Sequence, residues 1–207
     1  MIKGNVIELH KDFFRNFGFE YNFVEKLFYK SFPHGNQFIY LNFPEYSDIH
    51  YLEYNLGIRI NQVEQMIQKF LPNLMNHSDR SVTLLLTPQK INKNLPVRYI
   101  IETEDQLQRA MENGERFFIT QGFPWLDTMI DPQNLEKTFI SRKDKPYKSQ
   151  NFVYNMFRAT ALTRLFSPKD YPWMRQFYLE KIREQDMTPF SIAAYLQFLD
   201  YLDKVLI

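Results

Sequence analysis

The chain has 207 residues, 44% of them hydrophobic and 17% aromatic, which is enough apolar material for one large packed domain or two small ones and excludes a disordered polymer. Twenty-five basic residues against twenty-four acidic leave a net charge of +1, so no global field steers the molecule to nucleic acid or to an anionic bilayer. Cysteine is absent, which excludes disulfide frameworks, thiolate zinc sites and cysteine nucleophiles together.

At the N-terminus, Lys3, Glu8, Lys11 and Asp12 interrupt the stretch where a signal peptide needs an unbroken apolar run. No window approaches the ~20 apolar residues of a bilayer crossing. The expectation is a soluble protein with no membrane association, and the lack of cysteine fits the bacterial cytoplasm.

From Asn5 to Phe17 the apolar residues Val6, Leu9, Phe13, Phe14 and Phe17 recur at helical spacing, with His10 beside the polar face, and Gly18 supplies a stop. Residues 19–32 read as a hairpin turning near Val24 to Lys26. Pro33 to Asn36 is a turn cluster, and Gln37 to Phe43 is a strand ended by Pro44. The cleanest alternation follows. His50, Leu52, Tyr54, Leu56, Ile58 and Ile60 face one way, and Tyr51, Glu53, Asn55, Gly57 and Arg59 the other, so one face is core and the other polar.

Asn61 is then read as the cap of a helix with Val63, Met66, Ile67, Phe70 and Leu71 as its buried stripe, closed by Pro72. Short strands are expected at Val82 to Leu86 and Val97 to Glu102, around a loop at Thr87 to Pro96. Thr103 with Gln106 predicts a capping box, and Gly114 the end of that helix. Beyond it, Asp131-Pro132, Ser167-Pro168 and Thr188-Pro189 each set a capping side chain before a proline suited to the first helical position, although Pro172 predicts a restart near Tyr171. The final helix carries two apolar stripes. One holds Ile192, Tyr195, Leu196, Leu199, Leu202 and Leu206, the other Ala194, Phe198, Tyr201 and Val205. Such a helix is either central to its bundle or a surface for homodimerisation.

None of the chemistry-bearing residue types forms a motif. Glu45, Asp48, His50 and Glu53 are the densest set of metal-ligand types, but His50 and Glu53 point to opposite faces of a strand, and a solvated acidic turn accounts for the rest; no metal or other cofactor is expected. His34 sits in a turn. His77, Ser78 and Asp79 are adjacent in a loop, where adjacency alone does not make a triad. The serines lack a nucleophile elbow and the glycines are too dispersed to cradle phosphate, so no catalytic residue is assigned. Arg142, Lys143, Lys145 and Lys148, with Tyr147 among them and only Asp144 opposing, form one basic patch of the kind that binds phosphates. A polar linker explains the same composition, and nucleic-acid binding is not the favoured reading.

The polar face of the clean strand, Tyr51, Glu53, Asn55 and Arg59, is the candidate binding surface, because interfaces favour aromatics and arginine. Gly18-Phe19, Phe28-Tyr29, Asn55-Leu56-Gly57-Ile58 and the later Gly122-Phe123-Pro124-Trp125-Leu126 resemble a group of uncharacterised bacterial proteins known only as a domain of unknown function, over residues 1 to about 140. Some members of such groups are thought to act as immunity proteins; the resemblance implies a blocking partner role and carries over no catalytic residue.

The sequence therefore predicts an α+β protein: an antiparallel sheet of about four to six strands packed against helices over residues 1–130, and an all-helical part over 131–207 packed on it. Its expected function is non-catalytic binding of another protein. The alternative is an enzyme or small-ligand binder whose site gathers dispersed carboxylates and histidines.

Overall fold

The computed structural model describes residues 3–46, 49–72, 81–143, 151–185 and 187–204. It is an α+β structure with an open antiparallel sheet and helices that include the whole described C-terminal part. Two compact units divide the chain: Met1–Arg59 with Leu84–Ile130, and Ile60–Thr83 with Asp131–Ile207. Among the described residues, no helix is long and apolar enough to cross a membrane.

The first unit opens with helix α1, Lys3–Asn16. Gly18 ends it at φ 83, a left-handed conformation that costs glycine nothing. The buried stripe of α1 is Val6, His10 and Phe14, while Leu9 is 45% exposed, so His10 occupies a core position that composition had placed beside the polar face. Strands β1 (Glu20–Asn22) and β2 (Leu27–Phe32) form the expected hairpin. Its turn is held by the Asn22 side chain, which accepts from the amides of Val24 and Glu25 at 2.9 and 3.0 Å.

Strands β3 (Gly35–Asn42), β4 (Glu45–Tyr46) and β5 (Ile49–Ile60) continue the sheet in the order β1-β2-β3-β5-β4. Strands β6 (Leu84–Leu86) and β7 (Tyr99–Ile101) both pair antiparallel with β5. The alternation read in β5 is realised from Tyr51 to Leu56, where Leu52 and Leu56 are fully buried and Tyr54 nearly so, and gives way to continuous burial from Leu56 to Ile60.

The helix begun at Thr103 does not stop at Gly114. Helix α3 (Glu104–Phe117) passes through a π turn, Phe118–Gly122, into α4 (Phe123–Met129), with right-handed backbone angles at both junctions. Thr103 and Gln106 form the capping box at its start. Gly114 is needed for space, not for termination: a Cβ there would lie 2.7 Å from the Tyr54 ring. The π turn has a cause in Pro124, which cannot donate to the turn before it; the Phe123 amide reaches back five residues to the Phe118 carbonyl. Phe14 anchors this unit's aromatic core, with ring centroids 4.7 Å from Phe28 and 5.0 Å from Phe118.

The second unit comprises α2 (Asn61–Gln68), α5 (Pro132–Ser141), α6 (Phe152–Phe166), α7 (Tyr171–Glu184) and α8 (Pro189–Lys204). The central helix is α6, buried continuously from Asn155 to Thr163 and packed by α2, α5, α7 and α8. Asp131 caps α5 through the Gln133 amide at 2.9 Å, and Thr188 receives the Ser191 amide at the start of α8. Ser167 does not cap a helix. It closes α6, and the chain restarts at Tyr171 with Pro172 in the first turn. Helix α8 buries one stripe drawn from both expected sets, Ala194, Tyr195, Phe198, Leu199 and Leu202, and leaves Leu196 46% exposed; Val205 and Leu206 lie outside the described residues.

Inside this bundle Glu64 is fully buried and meets Arg158 in a two-point contact, both bonds 2.9 Å. Burial pushes the Glu64 carboxyl up, but Arg158 and the Thr83 hydroxyl, which donates at 2.9 Å, outweigh it and hold the group below the ordinary carboxylate range.

Candidate functional site

The polar side of β5 is not uniform. Tyr51, Glu53 and Asn55 are half-buried, whereas Gly57 and Arg59 are buried, Arg59 being only 7% exposed. Arg59 therefore does not belong to an accessible surface, which corrects the face-by-face reading of this strand. Period two assigns a side to each residue, but accessibility also depends on what packs over each end of the strand.

At the accessible end, residues from β7 and the segment before it join the strand. Tyr51 pairs directly with Ile100 across the β5–β7 ladder, and Ile100 is 58% exposed. The Arg98 guanidinium lies 5.1 Å from the centroid of the Tyr51 ring, and its Nε stands 3.6 Å from Glu53 Oε1. Asn42 donates to the other Glu53 oxygen at 3.3 Å. An aromatic ring, an arginine and a branched apolar side chain are thus presented on sheet backbone, with the arginine oriented by a carboxylate. Ile49 is 36% and Val97 45% exposed. Arg98, Ile100 and Val97 escaped the sequence reading; the signal for Arg98 and Ile100 was their alternation against Tyr99 and Ile101, which marks an outward side for this short strand as well, whereas Val97 is exposed in the segment before it.

The geometry behind this cluster is an interrupted edge. Strand β6 lies opposite Leu56 to Ile58, and β7, running the same way, lies opposite His50 to Leu52. The two follow one line along β5, broken opposite Glu53 to Asn55, where the twelve residues Thr87–Arg98 leave the sheet and return. A short 3-10 turn, Pro88–Lys90, begins that excursion.

Elsewhere the expected groups do not converge. His50 stacks on Phe43 at 5.5 Å, Asp48 and the side chain of Glu45 lie outside what is described, and among the described residues no group of three histidines and carboxylates is placed to hold a metal. His77, Ser78 and Asp79 also lie outside the described residues. Of the basic patch, Arg142 and Lys143 are described, and Lys145 and Lys148 are not. The Lys143 ammonium lies 5.6 Å from both the Trp173 and Phe177 rings, which stack on each other along α7. A cavity of about 260 Å³ in the second unit is lined by Leu71, Pro72, Asn151, Val153, Tyr154, Phe190 and Ser191, a set with hydroxyl, phenol and amide groups but no carboxylate or imidazole.

His10 is the one described histidine at the heart of a packed unit. Its Nδ1 donates to the Val6 carbonyl at 2.7 Å, its Nε2 meets the Tyr54 hydroxyl at 2.8 Å, and burial pulls its pKa down to about 4. The imidazole is therefore neutral and fully engaged, which suits a structural hydrogen bond better than proton transfer.

No protein-family model, curated protein or solved structure matches the chain.

Proposed function

We propose that this chain is a non-catalytic binding protein of the bacterial cytoplasm that captures another protein through the surface centred on Tyr51, Arg98 and Ile100 and acts by blocking it, as an immunity protein does. The observation that carries this reading is the stacked and ion-paired Arg98, held over Tyr51 beside the exposed Ile100. Arginine and aromatic side chains dominate interface energetics when they are oriented before the partner arrives, because less rotamer freedom is then lost on binding. Tyr51 and Ile100 sit on paired strands, so their backbone positions are fixed as well.

The test is affinity capture of the tagged chain from its native host, comparing the natural sequence with Tyr51→Ala/Ile100→Ser. Loss of a captured protein at unchanged Tm supports the reading. An identical captured set, or a Tm that falls with the loss, overturns it.

A further inference from the structure

Resting on that reading, the excursion at the sheet edge indicates which kind of partner segment the surface takes. Thr87–Arg98 contains Lys90, Lys93 and Arg98 and no acidic residue, in a chain whose overall charge is +1. All three cations are exposed, and neither Lys90 nor Lys93 has an ion-pair partner among the described residues. Both ends of the excursion are pinned to β5, Leu86 opposite Leu56 and Tyr99 close by opposite Leu52, so the attachment points are about 14 Å apart at strand spacing. The positive charge is thereby carried on the excursion that bridges β6 and β7.

Strand β7 is itself incomplete as a neighbour. Among the described residues it pairs with β5 alone, and Tyr99, Ile100 and Ile101 make no further hydrogen bond there. An unpaired edge with outward backbone groups is a template for an added strand, and three residues are too few to hold one by backbone bonds alone. Apolar contact at Val97 and Ile100 and the charge of Lys90 and Lys93 supply what the short ladder lacks.

We infer that the surface receives an extended, acidic polypeptide segment that adds as a strand along the outer edge of β7, its carboxylates facing Lys90 and Lys93 and an apolar side chain beside Ile100. A nucleic acid fits less well. The excursion offers no aromatic face, and the Tyr51 ring is already covered by Arg98.

The probe is a fluorescein-labelled short peptide alternating glutamate and valine, titrated with the full chain and followed by anisotropy. A lysine–valine peptide and an oligothymidylate serve as comparators. The expected result is saturable binding of the glutamate peptide at low salt, weakened about tenfold or more at about 0.3 M salt and lost in Lys90→Glu/Lys93→Glu at unchanged Tm. No saturable binding of the glutamate peptide overturns the inference, as does equal binding of the lysine peptide or tighter binding of the oligothymidylate. In affinity capture, a partner retained by the lysine variant but lost by Tyr51→Ala/Ile100→Ser would remove the acidic-strand inference while leaving the protein-binding reading in place. A partner retained by both variants would remove both.

Discussion

The Tyr54 hydroxyl donates to Nε2 of His10 at 2.8 Å across 44 positions of sequence. The direction follows from the other ring nitrogen, which donates to the Val6 carbonyl and so leaves Nε2 as acceptor. One hydrogen bond thus joins the first helix to the central strand, and it runs in this direction only while the imidazole is neutral.

Burial of this imidazole makes stability depend on pH. The pKa of His10 is about 4 in the folded protein against an ordinary 6.5, so the unfolded chain takes up a proton first as the pH falls. The contribution of His10 is complete above pH 6.5 and is lost between 6.5 and about 4, by up to about 3 kcal/mol. Chemical denaturation across this range shows the slope, and His10→Phe/Tyr54→Phe, which removes both partners together, flattens it.

Gly114→Ala sets two effects against each other. In a helix interior alanine is favoured by about 1 kcal/mol, but here the new methyl meets the Tyr54 ring at 2.7 Å. The ring must move, and its bond to His10 moves with it. The expected outcome is a net loss of about 1 to 3 kcal/mol in urea denaturation. A neutral or stabilising result would show that Tyr54 has room to yield.

Arg158→Met leaves the fully buried Glu64 without its counter-charge. The expected loss is about 3 to 5 kcal/mol, with most of it recovered in Glu64→Met/Arg158→Met, since an apolar pair needs no compensation. Because Glu64 titrates below the ordinary carboxylate range, the pair's contribution in the natural protein is present above that range and disappears as the pH falls through the lowered value. Thermal unfolding of the single and double variants at neutral pH checks the order.

Asp131→Ala removes the acceptor of the Gln133 amide at the start of α5. A loss of about 1 kcal/mol is expected, and Asp131→Asn should restore most of it, because either side chain presents an oxygen to that amide. Equilibrium denaturation of the two variants distinguishes a capping role from a charge role.

Features governed by neighbours in sequence were legible without the structure. The period of β5, the capping box at Thr103, the cap at Asp131 and the restart at Tyr171 all follow from side-chain alternation, short-range hydrogen bonds or proline sterics. What escaped depends on distant contacts. Gly114 looked like a helix end because only the approach of Tyr54 explains it as an interior residue, and His10 looked peripheral because its partner lies on another element. Period put Arg59 on the polar side of β5, but period carries no information about burial at that end of the strand, where Arg59 is only 7% exposed. The candidate surface was half legible: Tyr51 and Glu53 are on the strand that announced itself, while Arg98 and Ile100 reach them only through the pairing of β7.

The excursion between Leu86 and Tyr99 leaves and rejoins one line of the sheet, so its length and composition are uncoupled from the register of every other strand. Exchanging it would alter the surface presented beside Tyr51 and Ile100 while the scaffold beneath keeps its sequence requirements. A lineage built on this fold can vary that surface without redesigning the sheet, and an engineer has a defined place to graft a foreign segment.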